Sequence, residues 1–147
     1  MLFRSYKLLW IDRLRAHAAA LLAEERAVVL AGDYNVIPTD ADVFSVRAMQ
    51  DDALMQPESR QAFRRMLYQG WTDALRARHP GEQLWTFWDY QAGAWQRDHG
   101  FRIDHALLSP ELADRLVAAG VDKDHRGREK ASDHAPVWVE EIGRAHV

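Results

Sequence analysis

Between Tyr6 and Glu25 apolar residues return at Trp10/Ile11, Leu14, Ala18 and Leu21/Leu22, the spacing of one helical face, with Asp12, Arg13 and Glu24 off it. The period then changes. Ala27 to Ala31 is an unbroken, Val-rich apolar run, the mark of a buried strand, and Gly32 ends it. Residues 37–60 read as a loop with short helical pieces, turning at Pro38-Thr39-Asp40 and interrupted again at Pro57. Arg60–Leu67 and Trp71–Arg78 carry helical patterns split by Gly70. Gln83–Tyr90 is aromatic and strand-like, and residues 91–100 form a polar connection. Ile103–Leu108 is a second apolar strand, after which Ser109-Pro110 opens a helix through Leu116 with Ser109 as its N-cap. Val117–Val121 predicts a further strand, Asp122–Lys130 a charged loop and Val137–Val139 a last strand. No internal repeat, low-complexity run or linker interrupts this order. Helix, buried strand, then polar residues at the strand's carboxyl end is how open α/β sheets present sites, so the pattern predicts an α/β fold, classed α+β in some schemes.

Composition narrows the class. At 147 residues and 48% hydrophobic content, the chain is one domain's worth or part of a larger domain. No apolar run approaches the length of a membrane span, and the start lacks the cleavage pattern of a signal peptide, so no membrane partner is expected. The absence of cysteine excludes a disulfide scaffold and a thiolate metal site, and fits a cytoplasmic setting. A formal charge of −3 is awkward for a nucleic-acid binder unless acidic side chains gather around a divalent cation. Both ends look extraneous. Met1-Leu2-Phe3-Arg4-Ser5 can be encoded by GTG CTC TTC CGA TCT, whose reverse complement, read from its third base, encodes Ile142-Gly143-Arg144-Ala145. The two ends can therefore be one inverted oligonucleotide resembling a sequencing adapter, and residues 1–5 and 142–147 are expected to lie outside the native fold.

Three segments carry candidate chemistry: Gly32-Asp33-Tyr34-Asn35, Phe101-Arg102-Ile103-Asp104-His105 and Ser132-Asp133-His134-Ala135-Pro136. Each sets a carboxylate at or beside the end of an apolar run. Converging on one point, such groups could hold a hard cation and activate water against a phosphodiester. Asp33 and Asn35, two apart, point to one side in extended backbone, where a carboxylate can deprotonate water and a carboxamide can donate to a phosphate oxygen. The competing reading of this pair alone is an Asx turn. Asp104, inside an apolar strand, needs a partner. His134 would gain a fixed tautomer and a raised pKa from it, whereas an ion pair with Arg102 or Arg115 would be purely structural. Ser132-Asp133 could be a simple turn, and His105 faces away from Asp104 and reads as structural. Phe87, Trp88, Phe101 and Ile103 are ordinary core candidates by composition, and Arg126, Arg128 and Lys130 read as a solvated face before a phosphate contact.

The order and wording of these segments resemble the endonuclease/exonuclease/phosphatase superfamily. Within it they resemble the branch of exodeoxyribonuclease III and the abasic-site endonucleases. Further shared words are Val28-Val29-Leu30-Ala31 into Gly32-Asp33-Tyr34-Asn35-Val36, Pro38-Thr39-Asp40, Gly70-Trp71-Thr72-Asp73, Thr86-Phe87-Trp88-Asp89-Tyr90, and Arg102-Ile103-Asp104 running into Leu107-Leu108-Ser109. The match runs over residues 6–141, and only to the second half of such proteins. The resemblance implies half of a four-layer α/β/β/α sandwich with a mixed sheet. It implies a DNA repair nuclease with 3′→5′ exonuclease and abasic-site endonuclease activity. Mg2+ is the implied cofactor, with Mn2+ as a substitute, and double-stranded DNA, especially abasic sites and 3′ ends, the implied partner of a monomeric parent. Catalytic roles pass to Asp33 (acting on the water), Asn35, Asp104 (orienting His134) and His134. The metal neighbourhood comprises Asp33, Asn35, Asp133 and His134. Phe87, Trp88, Phe101 and Ile103 become substrate-binding, shaping a pocket for a baseless sugar.

The pattern's N-terminal asparagine, its principal metal-ligand glutamate and a phosphate-approaching tyrosine have no counterpart here. Tyr6, Glu24 and Glu25 belong to the helix before the Asp33 strand. The chain alone is therefore expected to bind magnesium weakly and to catalyse little. The alternatives are a phosphoesterase of the same superfamily acting on a non-DNA phosphate ester, or a catalytically inactive DNA-binding remnant.

Overall fold

The structure, a computed structural model, describes residues 2–143, residues 2–5 by backbone only. Met1 and residues 144–147 of the ends expected to be extraneous lie outside the described residues. Helix α1 runs over Leu2–Ala23, ending where Glu25 takes a left-handed φ of 55°. Its apolar stripe works as the period requires. Ile11 and Ala18 are buried, with Leu14, Leu21 and Leu22 beside them, against Ala62, Phe63 and Met66 of a later helix, Pro57–Tyr68.

Strand β1 is Val29–Asp33, two residues later than the apolar run suggested, and it is not buried. It forms one edge of a three-stranded sheet, and only Leu30 joins a core, so Val29 remains 43% exposed. After it come a 3₁₀ turn at Asp40–Asp42, helix α2 (Val46–Met49), a second 3₁₀ turn at Ala53–Met55 and α3 (Pro57–Tyr68). The helix expected over Trp71–Arg78 divides. Thr72–Asp73 is strand β2, and Asp73 accepts from the Arg76 amide to cap helix α4, Ala74–Arg78. Gln83–Tyr90 is not a strand. It crosses the sheet's end as an extended segment with single bridges from Phe87 to Phe101 and to His134. The polar connection holds a short helix α5, Ala94–Arg97.

Strand β3 (Asp104–Leu108) is the centre of the sheet, antiparallel to β1 and β2 on its two sides. Its alternation divides the molecule. Leu107 packs into the α1/α3 cluster, and the His105 ring meets Tyr34 and Phe63 on the same side. Ala106 and Leu108 join Leu75 and Ala119 on the opposite side, leaving Asp104 on that face. Helix α6 covers only Pro110–Ala113, and the Ser109 hydroxyl accepts from the Val28 amide instead of capping the helix. Strands β4 (Leu116–Val121) and β5 (Val137–Glu141) pair antiparallel, flanking a 3₁₀ turn at Lys123–Gly127. Gly120 is required there, since a Cβ would fall 2.6 Å from the Trp138 ring. The expected mixed sheet is, among the described residues, antiparallel throughout. No helix among them is long and apolar enough to cross a membrane.

Between β1 and β5 the face away from α1 carries an open cavity of about 510 Å3, lined by Val29, Ala31, Ala106, Pro136, Val137 and Val139. The strongest internal tie is ionic. Arg102, 1% exposed, donates to Asp42 (2.8 Å) and to Asp73 (2.9 Å), and its Nη1 also faces His105 Nδ1 at 3.2 Å. The His105 Nε2–H donates onward to the Val36 carbonyl. Burial, with Arg102 adding to it, pushes the His105 pKa down to about 4, so the ring is neutral. Arg102→Met is expected to cost about 3–5 kcal/mol, because it strands buried carboxylates without their cation. Urea unfolding would read this, and a loss under about 1 kcal/mol would show that Arg76 alone satisfies Asp42.

Candidate active site

Asp33 ends β1 directly opposite Asp104 at the start of β3. The Tyr34 amide donates to the Ile103 carbonyl, which makes the two aspartates a non-hydrogen-bonded pair, the kind that brings side chains closest. Like charges so placed repel, and the arrangement calls for a cation. Asp33 ends the strand, but Asn35 does not continue it. Asn35 is left-handed, with φ 51°, and its amide donates to Asp33 Oδ1 at 2.8 Å. The Asx turn and the candidate chemistry thus coexist, and the turn anchors the carboxylate. Tyr34, between them, turns inward and donates from its hydroxyl to the Leu30 carbonyl.

His134 arrives on the loop before β5, its amide donating to the Ser132 hydroxyl. Its Nδ1 meets Asp104 Oδ2 at 2.8 Å, and a carboxylate there requires the proton on Nδ1. Nε2 is left 3.8 Å from Asp33 Oδ2 and 3.9 Å from Asp133 Oδ1. The bond to Asp104 raises the His134 pKa against the opposing effect of burial, with the Asp104, Asp33 and Asp133 charges adding to the rise. Partial burial raises the Asp33 pKa; the Asn35 amide opposes this and the Asp104 charge reinforces it. Neither Arg102 nor Arg115 pairs with Asp104, since Arg102 is committed to Asp42 and Asp73 and Arg115 bonds the Glu111 carbonyl.

Among the described residues, Asp33, Asp104 and His134 bring ligand atoms within 4.8 Å of one another. The two facing carboxylates are hard oxygen donors and the imidazole beside them a nitrogen donor, a set that fits a divalent cation. Beside Asp33 opens a cavity of about 730 Å3, lined also by Asn35, Tyr6, Lys7, Trp10 and Arg13. Two cations therefore face the approach to the carboxylates, and Lys7 also donates to the Ala53 carbonyl.

The aromatic candidates separate. Phe87, partly exposed, sets its ring edge-on to His134 at 5.1 Å and stacks on Phe101. Phe101 and Ile103 are buried with Ile37, Val43 and Met55, and Trp88 is wholly buried with its Nε1 donating to Asp98. Trp88 offers a ligand no surface. Arg126 is neither solvated nor free for a phosphate, since it is buried and donates to the Trp88 and Asp89 carbonyls. Three contributors escaped sequence reasoning: the true partners of Arg102, the cation Lys7, and Thr86, whose hydroxyl bonds the Ile103 and Asp104 amides. The available signals were an arginine inside an apolar run and a hydroxyl between two aromatics.

Comparison with known proteins agrees with this geometry. The profile of the Endonuclease/Exonuclease/phosphatase family matches residues 3–134. An exodeoxyribonuclease of Bacillus subtilis is 32% identical over 133 residues, 90% of this chain and 51% of its own length. An AP endonuclease from Archaeoglobus fulgidus superposes with TM-score 0.88 at 35% identity, over 94% of this chain and 54% of its own. A 3′ phosphatase from Neisseria, bound to a product DNA hairpin, gives TM-score 0.91 at 35% identity over 95% and 54%. The chain spans about half the length of the curated relatives it matches.

Because the His134 shift is upward, the stability contributed by its pairing with Asp104 is fully present below the ordinary imidazole value of 6.5 and is lost as pH rises through the raised value. Asp104→Asn is expected to return the His134 pKa toward that ordinary value in an NMR titration of the ring. An unchanged pKa would refute the pairing.

Proposed function

The chain belongs to the Endonuclease/Exonuclease/phosphatase family, and on that premise we propose that it carries the water-activating and phosphate-binding part of a DNA repair nuclease. The observation that carries the proposal is the cross-strand Asp33/Asp104 pair with His134 locked to Asp104 at 2.8 Å. A 3′→5′ exonuclease and abasic-site endonuclease is the activity best supported, since the relatives above are named for exodeoxyribonuclease and AP endonuclease work.

The chemistry follows from each group's surroundings. Asp33 is held by the Asn35 amide through one oxygen, leaving the other carboxylate oxygen to take a proton from the attacking water. His134, oriented by Asp104 through Nδ1, presents Nε2 toward a phosphate oxygen, to which its protonated form donates as charge develops there. Asp33, Asn35 and Asp133 are the residues that would hold Mg2+, or Mn2+ in its place, which supplies Lewis-acid stabilisation of the phosphoryl charge. His134 is the remaining member of the ligand set expected from the sequence, and its Nε2 faces Asp33 and Asp133. Lys7 and Arg13 flank the cavity beside Asp33 as sequence-independent phosphate contacts for double-stranded DNA. Residues 6–141 form the C-terminal portion of the family domain in this reading. On the same reading the parent acts as a cytoplasmic monomer.

Incision of a duplex bearing one abasic site, with Mg2+ and with chelator, tests the proposal. The chain alone is expected to cut no faster than its Asp33→Asn variant. Joined to the portion of the Bacillus relative that it does not cover, it is expected to cut with Mg2+ and to lose about 10²–10⁴-fold on Asp33→Asn. A folded chimera that hydrolyses inositol phosphates but not abasic DNA would overturn the substrate.

A further inference from the structure

We propose that Thr86 is the positioning residue that aligns Asp104 with His134. The inference rests on the reading of that pair as the phosphate-binding couple. Thr86 is wholly buried, between Trp85 and Phe87 in the extended segment that crosses the end of the sheet. Its hydroxyl oxygen accepts from two successive amides, Ile103 at 3.0 Å and Asp104 at 3.1 Å. Its carbonyl accepts from the amide of Ala135, next to His134, at 2.8 Å. One residue therefore fixes the backbone under both members of the pair.

The backbone could not do this unaided. The Thr86 and Phe87 amides both donate to the Phe101 carbonyl, so two residues of one segment oppose one residue of the other. The pairing stops at the Phe87–Phe101 bridge. On its β1 side, β3 meets Asp33 through a non-hydrogen-bonded pair, which points the Asp104 amide away from β1. On its other side β2 reaches only Leu107 and Leu108. The Asp104 amide therefore has no strand carbonyl facing it, and the Ile103 amide, just outside β3, turns to the same hydroxyl although its own carbonyl pairs with Tyr34; a buried donor without a partner is costly. The hydroxyl's two lone pairs meet that need. Neighbouring bonds brace the same junction: the Trp88 amide donates to the Asp133 carbonyl and the Phe101 amide to Phe87. Gly100 permits the close crossing, since a Cβ there would sit 2.7 Å from Trp85 Cβ.

The tests are amide hydrogen exchange and the imidazole Nδ1–H resonance of His134 in the intact chain. Thr86→Val, which keeps the shape and removes the hydroxyl, is expected to speed exchange at Ile103 and Asp104 about tenfold. It should also shift the Nδ1–H signal away from its hydrogen-bonded position, while the Ala135 amide, held by a carbonyl, stays protected. Thr86→Ser is expected to keep both signatures. A folded Thr86→Val with wild-type exchange and an unshifted Nδ1–H signal would overturn the proposal. Should Thr86→Val fail to fold, loss of both signatures in Thr86→Ser would overturn it, by assigning the effect to the methyl group. Neither readout requires turnover, so an absence of nuclease activity would count against the proposed function and leave this inference standing.

Discussion

A single buried guanidinium holds this fold together. Arg102 sits two residues before Asp104, almost without solvent, and bonds one carboxylate from the 3₁₀ turn after β1 and another from the β2–α4 junction. Its own amide donates to the Asp42 carbonyl. Three segments distant in sequence are thereby held at the entrance to the central strand. A charge so deeply buried is tolerable only when fully paired, so the geometry around it is narrowly determined. Asp42 answers to Arg102 and Arg76 together, and those bonds carry its pKa below the ordinary range against the effect of burial. The strand that leaves this knot must present Asp104 on the face away from α1, because His105, next along, is taken up by Arg102 and Val36.

That knot makes the site's electrostatic tension sustainable. Asp33 and Asp104 face each other across a strand pair, an arrangement that disfavours folding unless compensated. His134 compensates in part, taking Asp104 and leaving Asp33 and Asp133 within 4 Å of its far nitrogen. Preorganised repulsion of this kind suits the binding of a cation or the protonation of a bound phosphate oxygen. The same region is open. Among the described residues β1 is an edge strand, and the cavity between it and β5, largely apolar, is lined by Asp104 as well. Water reaches carboxylates that a closed site would shield, which weakens every interaction there. This exposure, with a chain spanning about half the length of its relatives, is the physical reason that strong catalysis by the chain alone is not expected.

Elements whose signals are local were legible in the residues alone. The apolar stripe from Ile11 to Leu22 is a helix, the run at 104–108 is a buried strand, and β4 and β5 lie within two residues of where Val-rich pattern and charged loop put them. The three carboxylate-bearing segments were legible as well, because Gly32, Ser132 and Pro136 mark strand ends and turns by their own backbone chemistry. The remaining features depend on partners far along the chain. Gln83–Tyr90 has strand composition but finds only single bridges, since the crossing at Gly100 ends its ladder. Trp71–Arg78 divides because Thr72 and Asp73 gain more by pairing with β3. The run before Asp33 reads as buried, yet burial needs a second surface, and β1 has one only on the α1 side. Thr86 and Arg102 look unremarkable in a row of aromatic and apolar letters. Their roles exist only where folding removes water and leaves an amide or a carboxylate with no other partner, a condition of three-dimensional burial that local sequence does not encode.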